Sequence, residues 1–423
     1  MTPSPMAALT GVDAPPFRLP GSHFAVALLF LVLGALGLVW ISPDLAAGAF
    51  LSPRVAGVTH LFTLGWITTS IMGALYQLLP VALEREVRWP RVAQGTLLLY
   101  APGLLLFVAG VAGGSREWIL PGAVLLAAGV LTFALNLAAT LRAAPRRDLT
   151  WRALALADGF LVVTVVLGVA LALNLQRDFM GAHRLLALPV HLHVALVGWV
   201  LLVMVGVAQR LLPMFLLSHG ADERPGRWAV GLLALGAGLL VALHHAPGPV
   251  VRLVPAPLML AGVGAFLLQA RGFYRHRRRP SLDPGMRSAA AALAVVGLAA
   301  ALGTLQAVTG FGRPLLATAY VALLVLGITL FVAALYYKIV PFLVWYHRFA
   351  PRAGKGPVPM VAELYHSGWA GAAGLLLAGG GVTSAAGIAL GTAPVVRAGA
   401  SAFLAGAVVL AAQMAALSRR IPS

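Results

Sequence analysis

Eleven histidines and no cysteine set the chemistry open to this chain. Imidazole is the usual axial ligand of haem iron and also suits copper. The missing thiols exclude disulfides, thiolate metal sites, iron–sulfur clusters and covalent haem attachment. Five histidines stand out by position: His60, His191 and His193 open two apolar runs, and His244-His245 closes a third. An ionisable residue beside or within a membrane segment is a functional-site candidate by default. His191 and His193 are two residues apart, so on a helix they project about 200° apart and suit two centres, one on each face. His244 and His245 are adjacent ahead of Ala-Pro-Gly-Pro, where a fraying helix end lets both rings approach one ion. The competing reading of all five is polar side chains satisfied at a membrane interface. His219, His276, His347 and His366 fall in or near connecting loops and read as solvated. His23, at the start of the first run, reads as incidental, and His183 falls in the loop before the sixth run.

The elements that carry these residues are membrane helices. Of 423 residues, 60% are hydrophobic and 10% charged, and the mean hydropathy is +0.92. Ordinary globular chains are roughly a quarter charged, so lipid must solvate most of this surface. Lipid admits only helices or closed barrels, and runs of about 20 residues are helices. Twelve runs are expected, at 22–41, 55–81, 94–112, 118–140, 154–175, 190–215, 227–244, 251–270, 287–308, 316–342, 367–390 and 395–416. With the N-terminus inside, the inner segments hold 23 Lys and Arg and the outer segments seven, as the positive-inside rule requires. The net charge of +18 is then a topology signal and not a nucleic-acid surface. The first 21 residues lack a signal-peptide core. The expected organisation is a cytoplasmic tail at 1–21, one twelve-helix domain at 22–416, and a cytoplasmic tail at 417–423, in a bacterial cytoplasmic membrane. That topology puts all five singled-out histidines at the outer leaflet.

Two runs repeat one another. HLFTLGWITTSIMGALYQLLP, His60 to Pro80, and HVALVGWVLLVMVGVAQRLLP, His193 to Pro213, share histidine, Gly-Trp, a later glycine and Leu-Leu-Pro without a gap. A degenerate third copy ends ALYYKIVP at Pro341 and has no histidine at its outer end. Copies on the second, sixth and tenth helices predict three four-helix units about a pseudo-threefold axis. Trp66 and Trp199 lie six residues inward from their histidines, about 9 Å along a helix, which places them in the packed interior. Pro80, Pro213 and Pro341 mark the inner ends.

The segment HLHVALVGW, His191 to Trp199, resembles the His-x-His motif of the catalytic-subunit superfamily of haem–copper oxidases and nitric oxide reductases. The resemblance spans the twelve helices, but its motifs sit on helices two, six and seven; the NnrS-like haem- and copper-containing proteins are a similar group. It implies an oxidase subunit I-like fold, with His60, His191 and His193 as ligands of non-covalent, b-type haem. It further implies copper at His244 and His245, nitric oxide or oxygen as gas ligand, and a cytochrome or quinol electron donor. The sequence departs from the pattern in two places. The family carries His-x-His on helix ten, where this chain has no histidine, and its copper ligand with a nearby tyrosine on helix six has no counterpart. The two-haem-plus-copper inventory therefore does not transfer intact.

Three functions remain open: a haem-binding redox or gas-binding protein, which includes an oxidase-like or nitric oxide reductase-like enzyme; a copper or haem permease; and a structural subunit of a membrane complex. Gln77, Arg210 and Lys338 occupy matched repeat positions near the inner ends and do not form a midplane transport site. Asp158 is the one clear acid within the spans, placed to cap or to pair with nearby Arg152. No carboxylate chain crosses the membrane, so protons for any reduction are expected from the outer side.

Overall fold

The computed structural model describes residues 16–246, 249–310 and 312–419, so most of the N-terminal tail and residues 420–423 lie outside the described residues. Twelve helices among them are long and apolar enough to cross a membrane. They are α1 (Arg18–Trp40), α2 (Pro53–Pro80), α3 (Pro90–Gly113), α4 (Arg116–Arg142), α5 (Leu149–Arg177), α6 (Arg184–Leu216), α7 (Arg224–Ala242), α8 (Val250–Arg275), α9 (Pro284–Thr309), α10 (Pro314–Arg348), α11 (Ser367–Ala389) and α12 (Ala393–Ser418). The β-type pairing described is an isolated bridge between Ser218 and Arg277.

The prolines expected to mark the inner ends lie within the last turns of α2, α6 and α10. Pro80 is followed by helix to Leu83, Pro213 by helix to Leu216, and Pro341 by helix to Arg348. A proline in a helix removes one N–H donor and strains one turn. The connection after α10 therefore begins after Arg348.

The helices pack in two compact units. Unit one holds the chain through Phe24, Thr68–Met214 and His219–His276; unit two holds Ala25–Ile67, Phe215–Ser218 and Arg277–Ser423. Small residues set the packing within each. In unit one, a Cβ on Gly122 of α4 would stand 2.3 Å from the Phe107 nitrogen of α3, and one on Gly103 would stand 2.5 Å from the Leu126 nitrogen. In unit two, a Cβ on Gly380 of α11 or on Gly399 of α12 would stand 2.5 Å from the backbone nitrogen of Phe403 or Ser384. Dispersion and close backbone approach, not a water-driven hydrophobic force, hold helices together in lipid, which is why glycine recurs at these crossings.

Burial separates the repeat helices from the rest. The most apolar windows of α2, α6 and α10 are 72%, 78% and 72% buried, against 28–50% for the other nine. The sequence repeat therefore marks the helices that lie inside. Contacts repeat as well. Gly65 of α2 abuts the Phe30 ring of α1 in unit two, and Gly198 of α6 abuts the Phe160 ring of α5 in unit one. As expected from their depth, Trp66 and Trp199 are buried, at 0% and 2% exposure.

Candidate functional site

His60 and His193 have the same local construction. Each is the last residue of a regular α-helical segment, Pro53–His60 and Arg184–His193. Each is followed at once by eight residues of π-helix, Leu61–Thr68 and Val194–Leu201, after which α-helix resumes. In each, Nδ1 lies 2.7 Å from the carbonyl four residues back, that of Ala56 or of Pro189. A carbonyl only accepts, so Nδ1 carries the hydrogen, and in the neutral ring the lone pair falls on Nε2. A second bond of this kind is the usual device that orients a ligating histidine and raises its basicity. The π-helical turn admits one extra residue, is rare, and recurs at functional sites. The third copy, α10, has no histidine at the matching end and is α-helical throughout Pro314–Arg348.

His60 belongs to unit two, whereas His191, His193, His244 and His245 belong to unit one. His191 turns toward α5: a Cβ on Gly168 would stand 3.1 Å from its Cε1. That glycine is what lets the ring lie against the neighbouring backbone. His244 and His245 come together, with ring centroids 3.7 Å apart and planes tilted by 41°. His183 joins them in a row, its ring 6.2 Å from that of His245. The His244 Nδ1 donates to the Val241 carbonyl at 2.7 Å, again leaving Nε2 as the acceptor atom. Among the described residues, no three His, Asp or Glu side chains are grouped so that they could hold a metal ion.

Two residues read as minor are placed otherwise. His23 is fully buried in unit one. Its Nδ1 donates to the Leu19 carbonyl at 2.8 Å, and its Nε2 is buried without a hydrogen-bond partner. The ring meets Tyr76 edge-on at 5.2 Å, and Gly73 of α2 presses on its Cβ. The sequence carries no sign of this, because position 23 lies one turn inside a helix start and solvation there was equally consistent. Asp158 is buried in the body of α5 and caps nothing; the cap of α5 is Asp148, whose carboxylate accepts from the Trp151 nitrogen at 2.9 Å. One Asp158 oxygen is buried without a hydrogen-bond partner. The loop-proximal histidines divide too: His276 and His366 are exposed, with His366 capping α11 by accepting from Trp369, while His347 is half-buried in the last turn of α10.

The matched cations have a structural task. Arg210 of α6 pairs with Asp148, the cap of α5. Lys338 of α10 pairs with Asp283, the cap of α9, which also accepts from the Met286 nitrogen. The repeat thus extends to a cation on one helix tied to the capping aspartate of the helix before it. The aspartates fall outside the repeated segments, so the aligned motif alone could not reveal them.

No protein-family model matches this chain, and no curated protein matches it.

Proposed function

We propose that the protein is a multi-pass membrane protein that binds haem for redox or gas chemistry, with His193 as an axial ligand and His60 in the same role in the other repeat. The observation that carries this reading is the duplicated construction: a histidine, an Nδ1–H fixed on a carbonyl, and a π-helical turn at the same register in α2 and α6. A merely structural imidazole has no need of a rare helical turn behind it, twice. The residues fit a haem in donor chemistry, since each ring presents Nε2, the nitrogen with which imidazole commonly ligates iron. His191, on the opposite face of α6 and against Gly168, is the third candidate ligand.

When bound, haem would supply reversible one-electron chemistry and a position for nitric oxide or oxygen. The chain's own contribution is to fix the tautomer of each histidine, to orient its ring through Ala56 or Pro189, and to exclude water with buried apolar helix. With no cysteine the haem is held without covalent bonds, as b-type haem is. A pseudo-threefold, oxidase subunit I-like arrangement fits the buried trio α2, α6 and α10 and their recurring glycine and ion-pair contacts. The Lys and Arg asymmetry supports termini on the cytoplasmic side, as in a bacterial cytoplasmic membrane; a cytochrome or quinol is the electron donor this reading requires. The row His183, His245, His244 supports a second reading, in which that end handles copper, as a bound centre or as permease cargo.

The test is haem content. Protein purified after expression with ample haem should give a pyridine haemochrome and sharp reduced-minus-oxidised bands. His60→Ala and His193→Ala should each lower haem per chain. A colourless protein would overturn the haem reading.

A further inference from the structure

The stretch RGFYRHRRR, Arg271–Arg279, holds five arginines and no acid. Orientation in a membrane asks only for an excess of cations on one side, and a helix C-terminus is served by one cation. Elsewhere on this side cations are held by acids: Arg146 by Glu84, Arg210 by Asp148 and Lys338 by Asp283. Arg271 and Arg275, in the last turns of α8, are exposed and belong to none of the ion pairs among the described residues. The next acid along the chain, Asp283, is taken by Lys338 and the Met286 nitrogen.

The face on which the two arginines stand decides what meets them. Pro257, Ala261, Leu268, Arg271 and Arg275 recur at helical spacing and are all exposed, Leu268 at 60%. The opposite face, with Met259, Val263 and Phe266, is buried, and Met259 lies against Gly236 of α7. The stripe of α8 that lipid solvates therefore ends in two guanidiniums, about 10 Å along the axis from Leu268 to Arg275. The start of α7 is tied to the same level, where the Gly226 N–H donates to Gln269 Oε1 at 2.7 Å. The next two residues, Arg227 and Trp228, are exposed. An exposed tryptophan at a helix end is the usual anchor in a headgroup layer. The acids there, Asp222 and Glu223, join no ion pair among the described residues; Asp222 accepts from the Arg224 backbone nitrogen at 2.9 Å.

We propose that the arginine end of α8 is a binding site for an anionic phospholipid, with Arg271 and Arg275 on the headgroup phosphate and Leu268 beside the acyl chains. Residues four apart on a helix have Cβ atoms about 5–6 Å from each other, so both guanidiniums reach one phosphodiester. Arginine suits that anion because its planar fork pairs with two phosphate oxygens at once. The selectivity follows from charge. A phosphatidylglycerol headgroup brings one uncompensated negative charge, whereas phosphatidylcholine brings an ammonium that the arginines repel. A soluble anion would satisfy the guanidiniums but would leave the apolar half of the stripe to unspecific lipid, so continuity of the stripe favours the phospholipid. None of the histidines takes part, and a protein that never binds haem would leave this site standing.

The test is native mass spectrometry of the full-length protein released from nanodiscs of equimolar phosphatidylglycerol and phosphatidylcholine. Phosphatidylglycerol should be retained over phosphatidylcholine by roughly ten- to thirtyfold, as expected for two arginines at an anionic surface. Arg271→Gln with Arg275→Gln should bring the two lipids close to parity; both side chains are exposed, so the fold has little to lose. The control is Arg85→Gln, Arg88→Gln and Arg91→Gln together, which removes more charge from an inner connection that also holds Glu84 and Glu86. It should leave the preference in place. An unchanged preference in the Arg271 and Arg275 variant, or an equal loss in the control, would overturn the proposal, the latter by showing that overall inner charge is what the lipid meets. Displacement of the retained phosphatidylglycerol by inorganic phosphate would assign the arginines to the free ion and overturn it as well.

Discussion

α6 and α10 are matched copies of one pattern, and they agree at one end and differ at the other. Both are among the three most buried helices. Both carry a cation near the proline end, Arg210 or Lys338, tied to the aspartate that caps the preceding helix. At the opposite end α6 has His193 and a π-helical turn through Leu201, while α10 has neither and is regular from Pro314 to Arg348. The same division separates α2, with His60 and its π-turn, from α10. The shared end is therefore scaffold, kept wherever the repeat must pack. The other end varies between the copies, and the wide turn travels with the histidine, not with the helix.

That division can be broken in four ways. Deleting one residue within Val194–Leu201 should turn the π segment into plain α-helix and make α6 like α10. Haem at that copy should then disappear while helical circular dichroism persists; unchanged haem per chain would separate the wide turn from the site. Gly198→Val comes next, because its Cβ would meet the Phe160 ring at 2.8 Å. Overpacking of this kind costs about 1–3 kcal/mol, to be read as a lower Tm in detergent.

The scaffold end offers a graded pair. Lys338 and Asp283 are 11% and 22% exposed, Arg210 and Asp148 50% and 31%. Asp283→Asn keeps a capping side chain but strands a mostly buried ammonium, at about 2–3 kcal/mol once partial solvation is allowed for. Asp148→Asn should cost about 1 kcal/mol or less, since solvent screens that pair. Equal losses of Tm in the two variants would refute the contrast. The smallest effect is at Tyr365, outside the helices, whose phenol is pushed up from 10.0 to about 12 by burial and then by the Asp283 carboxylate. The folded state holds this proton more tightly than the unfolded one, so its contribution is full below pH 10 and is lost as pH rises through about 12. Tyr365→Phe should flatten that part of the stability–pH curve.

Much of this was legible in residue types and spacing. His60 and His193 were recognisable because a gap-free repeat aligned them, and Trp66 and Trp199 were placed inside by their distance from the histidine end. The glycines announced close helix crossings. Other features left no mark in the pattern. His23 looked like a boundary residue, and only its packing against Tyr76 and Gly73 makes it a buried base. Asp158 was placed to cap or to pair, and the cap is held by Asp148. Pro80, Pro213 and Pro341 marked the inner ends, and the helices run three, three and seven residues beyond them.

The sequence by itself determined that the chain is helical, that twelve segments are long and apolar enough to cross a membrane, and which three of them repeat. Those properties follow from transfer free energies and helical period, which act locally along the chain. Tertiary structure alone decided that the repeating helices are the buried ones, that a π-turn follows two histidines, and that His23 packs edge-on against Tyr76. Each depends on which neighbour fills a given face, and composition along one helix does not encode the neighbour.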